Sequence, residues 1–219
     1  MSPQLPIVLV TGFTPFGGEA INPSQQIART VDGEIVAGHR IVGAILPTEF
    51  AASLPELERL IASKQPKVVL ALGLAGGRAG ISLERVAINL IDARIPDNAG
   101  NQPIDVAVVD NAPNAYFSTL PIKAMLSRLL ENGIEASISH TAGTYVCNQV
   151  FYALAHLTAT NYPSIRSGFI HVPYLPEQAN PQSGKPGMPL ESMVEAVRLC
   201  IAAAVECSED PHYAAGEIH

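Results

Sequence analysis

Short apolar runs alternate along the chain with segments whose apolar residues recur at helical spacing. The runs end at glycine, proline or polar residues, as buried strands do, and they cover residues 7–11, 41–46, 67–72, 136–139 and 167–172. The periodic segments predict helices over 23–32, 53–63, 121–132, 147–158 and 190–207. Strands that alternate with helices favour an α/β fold with a mostly parallel sheet covered on both faces.

Turn and capping residues place the boundaries of these elements. Asn22 before Pro23 is a typical helix start, and Ser53 with Glu56 fits a capping box for the second helix. A further strand is predicted over 85–91, followed by a loop over 92–103 and a short edge strand over 106–109. The proline-rich segment 173–189 predicts a long loop. Residues 208–219 predict a loose C-terminal tail on a single domain spanning 1–219.

Composition narrows the classes of partner. The chain has 219 residues, a net charge of −7 and only 15% charged residues, against 47% apolar residues. An acidic, weakly charged chain lacks the basic surface that nucleic acids and anionic membranes require, so we expect neither partner. Because interface cores are depleted in charge, the composition favours self-association over a compact monomer.

Cysteine number and the N-terminal sequence indicate the compartment. Three cysteines cannot all pair within one chain, and their spacing matches no metal-binding pattern. The first residues lack the basic region of a signal peptide, and the longest uncharged apolar stretch, 68–76, is too short to span a bilayer. We therefore expect a soluble, reduced, cytoplasmic protein.

Two glycine-containing loops follow predicted strands. The loop 11–19 has glycines spaced as in a phosphate loop, but Gly18 and Glu19 replace the lysine and the hydroxyl residue, which argues against nucleotide binding. Its phenylalanines, Phe13 and Phe16, suit either the core or the walls of an apolar pocket. The run GLAGGRAG does not fit a dinucleotide fingerprint, and its Arg78 suits a structural role better than anion binding.

The candidate nucleophile is Cys147, which follows a strand and a small-residue loop and begins a predicted helix. The positive end of a helix stabilises a thiolate, and its free N–H groups can receive an oxyanion. A buried packing role is the alternative, and it is the favoured role for Cys200 and Cys207, which lie seven residues apart on one helix face.

A base and a carboxylate complete the candidate constellation. His171 ends a buried strand, and His140, which follows another strand, is the rival base. Glu84 and Arg94 are the charged residues that we single out around the strand predicted over 85–91. A cysteine, a histidine and a carboxylate brought together would supply a nucleophile, a base and a group that orients the base.

Several long motifs together resemble the pyroglutamyl peptidase I family. They are GFTPFGGEAINPS, GLAGGR, ERVAIN, DARIPDNAGNQPI, SHTAGTYVCNQVFY and GFIHVPYLPEQ, and the resemblance covers residues 7–205. It implies a cytosolic cysteine exopeptidase with a three-layer α/β/α sandwich that removes N-terminal pyroglutamate from peptides. It also implies a homotetramer, with a dimer as the alternative, and neither a metal nor another cofactor.

The resemblance also implies residue roles. Cys147 matches the nucleophile, His171 its base, Glu84 the third member, and Arg94 a position near the oxyanion. The positions that match or adjoin the pyroglutamyl pocket are Phe13, Phe16, Asn22, Thr48, Leu74, Ile95, Tyr145 and Val146. This chain departs from the family pattern at Leu74, where many bacterial members have glutamine, and at Tyr145, where phenylalanine is common.

Two other functions use the same kind of scaffold. A non-catalytic binding or assembly protein would not need Cys147, His171 and Glu84 together. A phosphorylase-like enzyme would need a basic phosphate cradle, of which the sequence offers only Arg78 and Arg94. We therefore expect peptide hydrolysis through an acyl-enzyme, with Cys147 activated by a His171 ion pair and by the helix end.

Overall fold

The computed structural model describes residues 5–180 and 186–216, which contain nine strands and five helices. The strands are β1 (Ile7–Phe13), β2 (Ile35–Val36), β3 (His39–Leu46), β4 (Val68–Leu74), β5 (Ile81–Glu84), β6 (Val86–Ile88), β7 (Ala115–Phe117), β8 (Ala136–Ser139) and β9 (Arg166–Val172). The helices are α1 (Pro23–Val31), α2 (Phe50–Lys64), α3 (Ile122–Glu131), α4 (Val146–Thr160) and α5 (Leu190–Glu206).

Seven strands form the central sheet, in the order β2-β3-β1-β4-β9-β5-β8. The four strands β3, β1, β4 and β9 are parallel, as the sequence pattern predicts. The outer strands differ, because β2 is antiparallel to β3, and β5 is antiparallel to β9. Since β8 runs parallel to β5, these two strands run opposite to the centre of the sheet.

Helices cover both faces of the sheet, so the expected three-layer α/β/α sandwich is confirmed. The apolar stripes of α1, α3 and α5 pack on one face, and those of α2 and α4 pack on the other. Successive residues of β4 supply both cores, because alternate side chains of a strand point to opposite faces: Leu70 faces α1 and α5, whereas Val69 and Ala71 face α2 and α4.

The predicted strand over 85–91 is wrong in extent. The chain forms two short strands on either side of Arg85: β5 joins the central sheet, and β6 pairs with β7 outside it. The sequence reasoning missed β5 because its four residues directly follow the glycine-rich run. Residues 106–109 form no strand, and Val106 makes only an isolated bridge to Ile91.

Helix α2 begins at Phe50, three residues before the predicted capping box, so Ser53 lies inside the helix and is buried. The N-cap residue that precedes it, Glu49, makes no side-chain capping hydrogen bond. The carboxylate of Asp97, from the loop 92–103, instead accepts the Phe50 N–H at 2.7 Å. A distant residue therefore performs the capping that the local sequence pattern assigned to Ser53.

The C-terminal segment contacts α3, which differs from the loose tail expected from the sequence. The Asp210 carboxylate accepts the backbone N–H groups of Lys123 at 2.8 Å and Ala124 at 3.2 Å, at the start of α3. The hydroxyl of Tyr213 donates to the Lys123 carbonyl at 2.7 Å. Residues 217–219 of the tail, and 181–185 of the loop predicted over 173–189, lie outside the described residues.

No helix within residues 5–180 and 186–216 combines the length and the apolar character needed to cross a bilayer.

Candidate active site

Cys147 lies in the first turn of α4, directly after the loop that leaves β8. Tyr145 precedes the helix without a side-chain cap, and Gln149 provides the first N–H that bonds back, to the Tyr145 carbonyl at 3.1 Å. The N–H groups of Val146, Cys147 and Asn148 therefore have no acceptor within the helix. Together with the helix dipole, they form a site that favours negative charge beside the half-buried thiol.

Two buried polar residues after Cys147 hold the start of this helix. The Asn148 amide donates to the carbonyls of Ile88 and Leu90, both at 2.9 Å, and its oxygen accepts the Ile88 N–H at 3.0 Å. The Gln149 amide donates to the Phe50 carbonyl at 2.9 Å. The sequence reasoning missed both residues, although their position next to the nucleophile in an otherwise apolar helix was a usable signal.

The thiol packs against the sheet at Gly73, the last but one residue of β4. A β-carbon at this position would lie 2.8 Å from the Cys147 Sγ and 2.8 Å from the Phe169 ring. Only glycine therefore lets the thiol lie this close to the strand. Gly73 is the direct neighbour of His171 in the β4–β9 pairing, so the thiol rests beside the strand position that carries His171.

His171 and Glu84 form a buried hydrogen-bonded pair. The Nδ1 atom of His171 lies 2.7 Å from Oε1 of Glu84, and the two residues are 4% and 0% exposed. They meet diagonally, because the β5–β9 pairing sets His171 opposite Ser82 and Glu84 opposite Phe169. The antiparallel direction of β5 thus delivers the carboxylate to the histidine from a neighbouring strand.

Arg78 joins this pair from the glycine-rich loop. Its Nη1 donates to the same Glu84 oxygen at 2.7 Å, and its Nη2 donates to the Thr141 carbonyl at 3.1 Å. The sequence left open whether Arg78 is structural or binds an anion, and the structure places it against Glu84. It also links the glycine-rich loop to the loop that leads to Cys147.

The protonation states follow from burial and charge. Burial opposes ionisation of Glu84, but the hydrogen bond and charge of His171, together with the Arg78 guanidinium, keep the pKa of this carboxyl below its ordinary value. Burial raises the pKa of the Cys147 thiol to about 12, the charge of Glu84 adds to the rise, and Arg78 opposes it. These shifts oppose the resting thiolate–imidazolium pair expected from the sequence, whereas the open N–H groups at the start of α4 favour a thiolate.

Three aromatic side chains cluster just before α4, and one of them, Tyr145, lines a cavity. The Tyr145 ring contacts Phe16 at 5.9 Å and Phe50 at 5.2 Å between ring centroids, and its hydroxyl donates to the Pro96 carbonyl at 3.0 Å. A cavity of about 420 Å³ adjoins this group. Its lining comprises Asp92, Arg94, Ile95, Gly143, Thr144 and Tyr145. Phe50 is an aromatic member of this group that the sequence reasoning missed.

The remaining sequence-predicted pocket residues divide between surface and core. Ile95 is 42% exposed. Arg94 is also exposed, and its guanidinium has no hydrogen-bond partner in the described part of the chain. Phe13, Leu74 and Val146 are buried. In the core, the ring centroids of Phe13 and Phe169 lie 6.5 Å apart. The structure thus places Phe13 in the core and the half-buried Phe16 against Tyr145, which lines the cavity.

Asn22 and Thr48 hold the loop that carries Phe16, through hydrogen bonds to Thr14. The Asn22 amide donates to the Thr14 carbonyl at 3.1 Å, and its oxygen accepts the Ser24 N–H at 3.1 Å, which confirms the predicted helix cap. The Thr48 hydroxyl donates to the same Thr14 carbonyl at 2.7 Å. Both side chains therefore support the loop that presents Phe16.

Asp97 joins the loop 97–101 to the start of α2, and the sequence reasoning missed it as well. Besides the Phe50 N–H, its carboxylate accepts the N–H groups of Ala99 at 2.9 Å and Asn101 at 2.8 Å. Although burial opposes its charge, these hydrogen bonds lower the pKa of Asp97. The cluster of polar residues that follows Arg94 is therefore held in one conformation by a single carboxylate.

The other candidates lie apart from this group. His140 is exposed and makes no hydrogen bond within the described ranges, so Glu84 contacts His171 and not the rival base. Cys200 is buried in the α5 core, as predicted, but Cys207 lies just past the end of α5 and is half-buried, so its predicted place on the packed helix face is wrong. Among residues 5–180 and 186–216, no group of three histidine, cysteine or acidic side chains could hold a metal ion.

Comparison with known proteins gives a family match over most of the chain. The sequence model of the pyroglutamyl peptidase family matches residues 7–207. Pyrrolidone-carboxylate peptidase 1 of Ralstonia nicotianae is 52% identical, over 98% of this chain and 100% of the relative. The pyrrolidone-carboxylate peptidase of Yersinia pestis is 50% identical, over 97% of this chain and 99% of the relative.

Solved structures share the fold at similar coverage. The crystal structure of pyroglutamyl peptidase I from Bacillus amyloliquefaciens is 42% identical, with a TM-score of 0.91 over 94% of this chain and 100% of that chain. A mutant pyrrolidone carboxyl peptidase from Pyrococcus furiosus is 46% identical, with a TM-score of 0.88 over 91% and 98% of the two chains. The sequence match, which spans nearly the whole chain, and the shared fold lead to one conclusion: this chain belongs to the pyroglutamyl peptidase family.

Proposed function

We propose that this protein is a cysteine exopeptidase that hydrolyses the bond after an N-terminal pyroglutamyl residue, through an acyl-enzyme on Cys147. The observation that carries the proposal is the placement of the thiol. It packs against Gly73, beside the strand position of the buried His171–Glu84 pair, at a helix start with three open N–H groups. Family membership supports the substrate class.

The first step transfers the thiol proton to His171 as sulfur attacks. Because burial raises the pKa of the thiol, we assign the loss of its proton to the moment at which the Sγ–carbon bond forms. Glu84 accepts a hydrogen bond from Nδ1–H of His171, which leaves Nε2 free to take the proton. The same carboxylate stabilises the imidazolium that results.

The tetrahedral intermediate carries its negative charge on the former carbonyl oxygen. The open N–H groups in the first turn of α4 lie where this charge develops, and the unpaired guanidinium of Arg94 is the second group that we assign to the oxyanion region. The C–N bond then breaks, and His171 gives its proton to the departing amine. Water, deprotonated by His171, cleaves the thioester and releases pyroglutamate.

The aromatic pocket explains the preference for a lactam ring. Pyroglutamate has a flat five-membered ring without a charged amine, and the Phe16, Phe50 and Tyr145 side chains offer apolar walls for it. A proline ring has a similar shape, but it lacks the lactam carbonyl and brings a charged amine into the pocket. Each unpaired polar group costs roughly 1–3 kcal/mol in a dry site.

The test of this function compares two fluorogenic amides. Pyroglutamyl aminomethylcoumarin is expected to be hydrolysed, and kcat/KM for the prolyl amide is expected to be at least about 100-fold lower, because two polar mismatches add. The lactam 2-pyrrolidone should compete with the first substrate. Equal rates on the two amides, or no release of pyroglutamate, would contradict the proposal.

We extend the proposal to assembly and compartment. A homotetramer, with a dimer as the alternative, is supported by the low charged fraction and by the strongly exposed apolar side chains of Ile104 and Phe117. A cytoplasmic location is supported by three cysteines that form no disulfide.

The proposed tetramer can be tested by measuring the mass of the assembly. Sedimentation equilibrium of the purified protein is expected to give four times the 23.1 kDa chain mass. Phe117→Asp is expected to lower this mass, because a carboxylate buried in an apolar contact is costly. A parent protein that sediments as a monomer would contradict the assembly proposal and leave the catalytic one standing.

A further inference from the structure

A polar groove lies over the outer strands of the central sheet, on the other side of the loop 139–145 from the aromatic pocket. Its volume is about 620 Å³, and Arg78, Ser82, Ser137, Ser139 and Thr141 are among the residues that line it. Arg78 belongs both to the groove wall and to the Glu84 contact. One residue therefore connects the groove to the His171–Glu84 pair.

The alternation of side chains along β5 and β8 explains why this groove is polar. Ile81, Leu83 and Ile138 point into the core beneath α3. Their neighbours point to the opposite face, because side chains alternate along a strand. That face carries Ser82 and Glu84 on β5, and Ser137 and Ser139 on β8.

Three side chains form a row across the strands. The pairing sets Ser82 opposite His171 on one side and opposite Ser137 on the other. The hydroxyls of Ser82 and Ser137 have no hydrogen-bond partner in the ranges that the structure describes, although Ser82 is only 4% exposed. Both serines line the groove, and a hydroxyl there without a protein partner is a position at which a ligand can supply a hydrogen bond.

We propose that this groove binds the part of the substrate that follows the scissile bond, so that the enzyme acts on pyroglutamyl oligopeptides in preference to pyroglutamyl dipeptides. The inference rests on the proposed function. The ring side of the substrate takes the aromatic pocket, and His171, which protonates the departing amine, is the first member of the row. The leaving peptide then extends over Ser82 and Ser137 towards the edge of the sheet.

The spacing of the strands sets the length of leaving peptide that the groove can bind. Adjacent strands lie about 4.8 Å apart, so the path from β9 across β5 and β8 covers about 10 Å, which about three extended residues fill. Among the residues that line the groove, none has a large apolar side chain. The lining supplies hydroxyls, main chain and the polar side chains of Arg78, Glu135 and His140, so hydrogen bonds and charge hold a peptide here and no apolar side-chain pocket selects it.

A series of substrates measures this length dependence on the unmodified protein. The probes are pyroglutamyl peptides extended by one to five alanines and amidated at the C-terminus. We expect kcat/KM to rise by about two- to tenfold for each of the first added residues, since each gains about one hydrogen bond, and to level off at about three. A flat series would overturn the inference. If no probe releases pyroglutamate, the proposed function itself fails.

A matched pair of variants tests whether the length dependence of kcat/KM arises in this groove. Ser137→Trp fills the groove, and Ser63→Trp places the same side chain in a cavity of about 610 Å³ at the opposite end of the strands, lined in part by Ile7, Ser63 and Lys67. Both serines are exposed. Ser137→Trp is expected to lower the ratio of kcat/KM for the four-alanine probe to that for the one-alanine probe at least fivefold, and Ser63→Trp to leave both values as in the parent. Equal ratios in the two variants would overturn the inference. If Ser137→Trp does not fold, the substrate series on the parent decides.

Discussion

Replacing Cys147 with serine is expected to lower the hydrolysis of a pyroglutamyl amide by at least about 1,000-fold, because the reaction loses its nucleophile. A serine hydroxyl at the same position gives up its proton less readily than a thiol. The surroundings do not compensate, since burial and the Glu84 charge already oppose deprotonation at this site. The measurement is kcat/KM for pyroglutamyl aminomethylcoumarin, with the folded state checked by circular dichroism.

Cys207→Ser provides the control for this variant. Cys207 follows α5 and accepts a hydrogen bond from Arg166 only through its backbone carbonyl, so its thiol takes no part in the active site. The control is expected to keep kcat/KM within about twofold of the parent, as surface substitutions away from a site normally do. If Cys147→Ser retains activity, or Cys207→Ser loses it, the nucleophile has been assigned to the wrong residue.

The second large effect separates the two candidate bases. His171→Ala is expected to lower kcat/KM by about 100- to 10,000-fold, the range typical of a lost general base. Its ring is buried, hydrogen-bonded to Glu84 and held on the strand position next to Gly73, against which the thiol packs. Removing it also takes from the Glu84 charge its most buried partner and leaves Arg78 and Ser139.

His140→Ala is the matched comparison, because it removes the same side chain from the neighbouring segment. His140 is exposed and makes no contact with Glu84. His140 lines the polar groove. We expect kcat/KM for the small coumarin amide within about threefold of the parent value, since this substrate has no leaving peptide to fill that groove and surface substitutions usually have small effects. The opposite pattern, with an inactive His140 variant and an active His171 variant, would show that the base is misassigned.

The position of Cys147 was predictable from local sequence. A strand, a loop of small residues and an amphipathic helix follow one another around it, and each has its own signature. The contact between Glu84 and His171 was not predictable from the pattern alone. It depends on β5, a four-residue strand that runs antiparallel to β9, and neither its existence nor its direction was indicated by the residues that surround it.

The ambiguous residues show what tertiary structure adds. Phe13 and Phe16 were equivalent in the sequence, but the strand carries Phe13 into the core and ends before Phe16. Arg78 was an isolated cation in a glycine-rich loop until β5 brought Glu84 to it. The capping box at Ser53 failed because the Asp97 carboxylate, 47 residues from Phe50, caps α2 from another loop. Long-range contacts decide each of these cases, and local patterns do not contain them.

Family resemblance supplied the roles that geometry alone leaves open. Asn22 and Thr48 illustrate the difference, because the resemblance placed them around the pocket and the structure gives both side chains internal hydrogen bonds to Thr14. They support the pocket loop from below.

The most direct measurement is the identity of the covalent intermediate. The parent protein is mixed with a pyroglutamyl peptide, quenched with acid during turnover, digested and analysed by mass spectrometry. The account predicts a pyroglutamyl thioester on the peptide that contains Cys147, absent from the Cys147→Ser protein. Turnover with the acyl group on Cys200, on Cys207 or on another residue would contradict it.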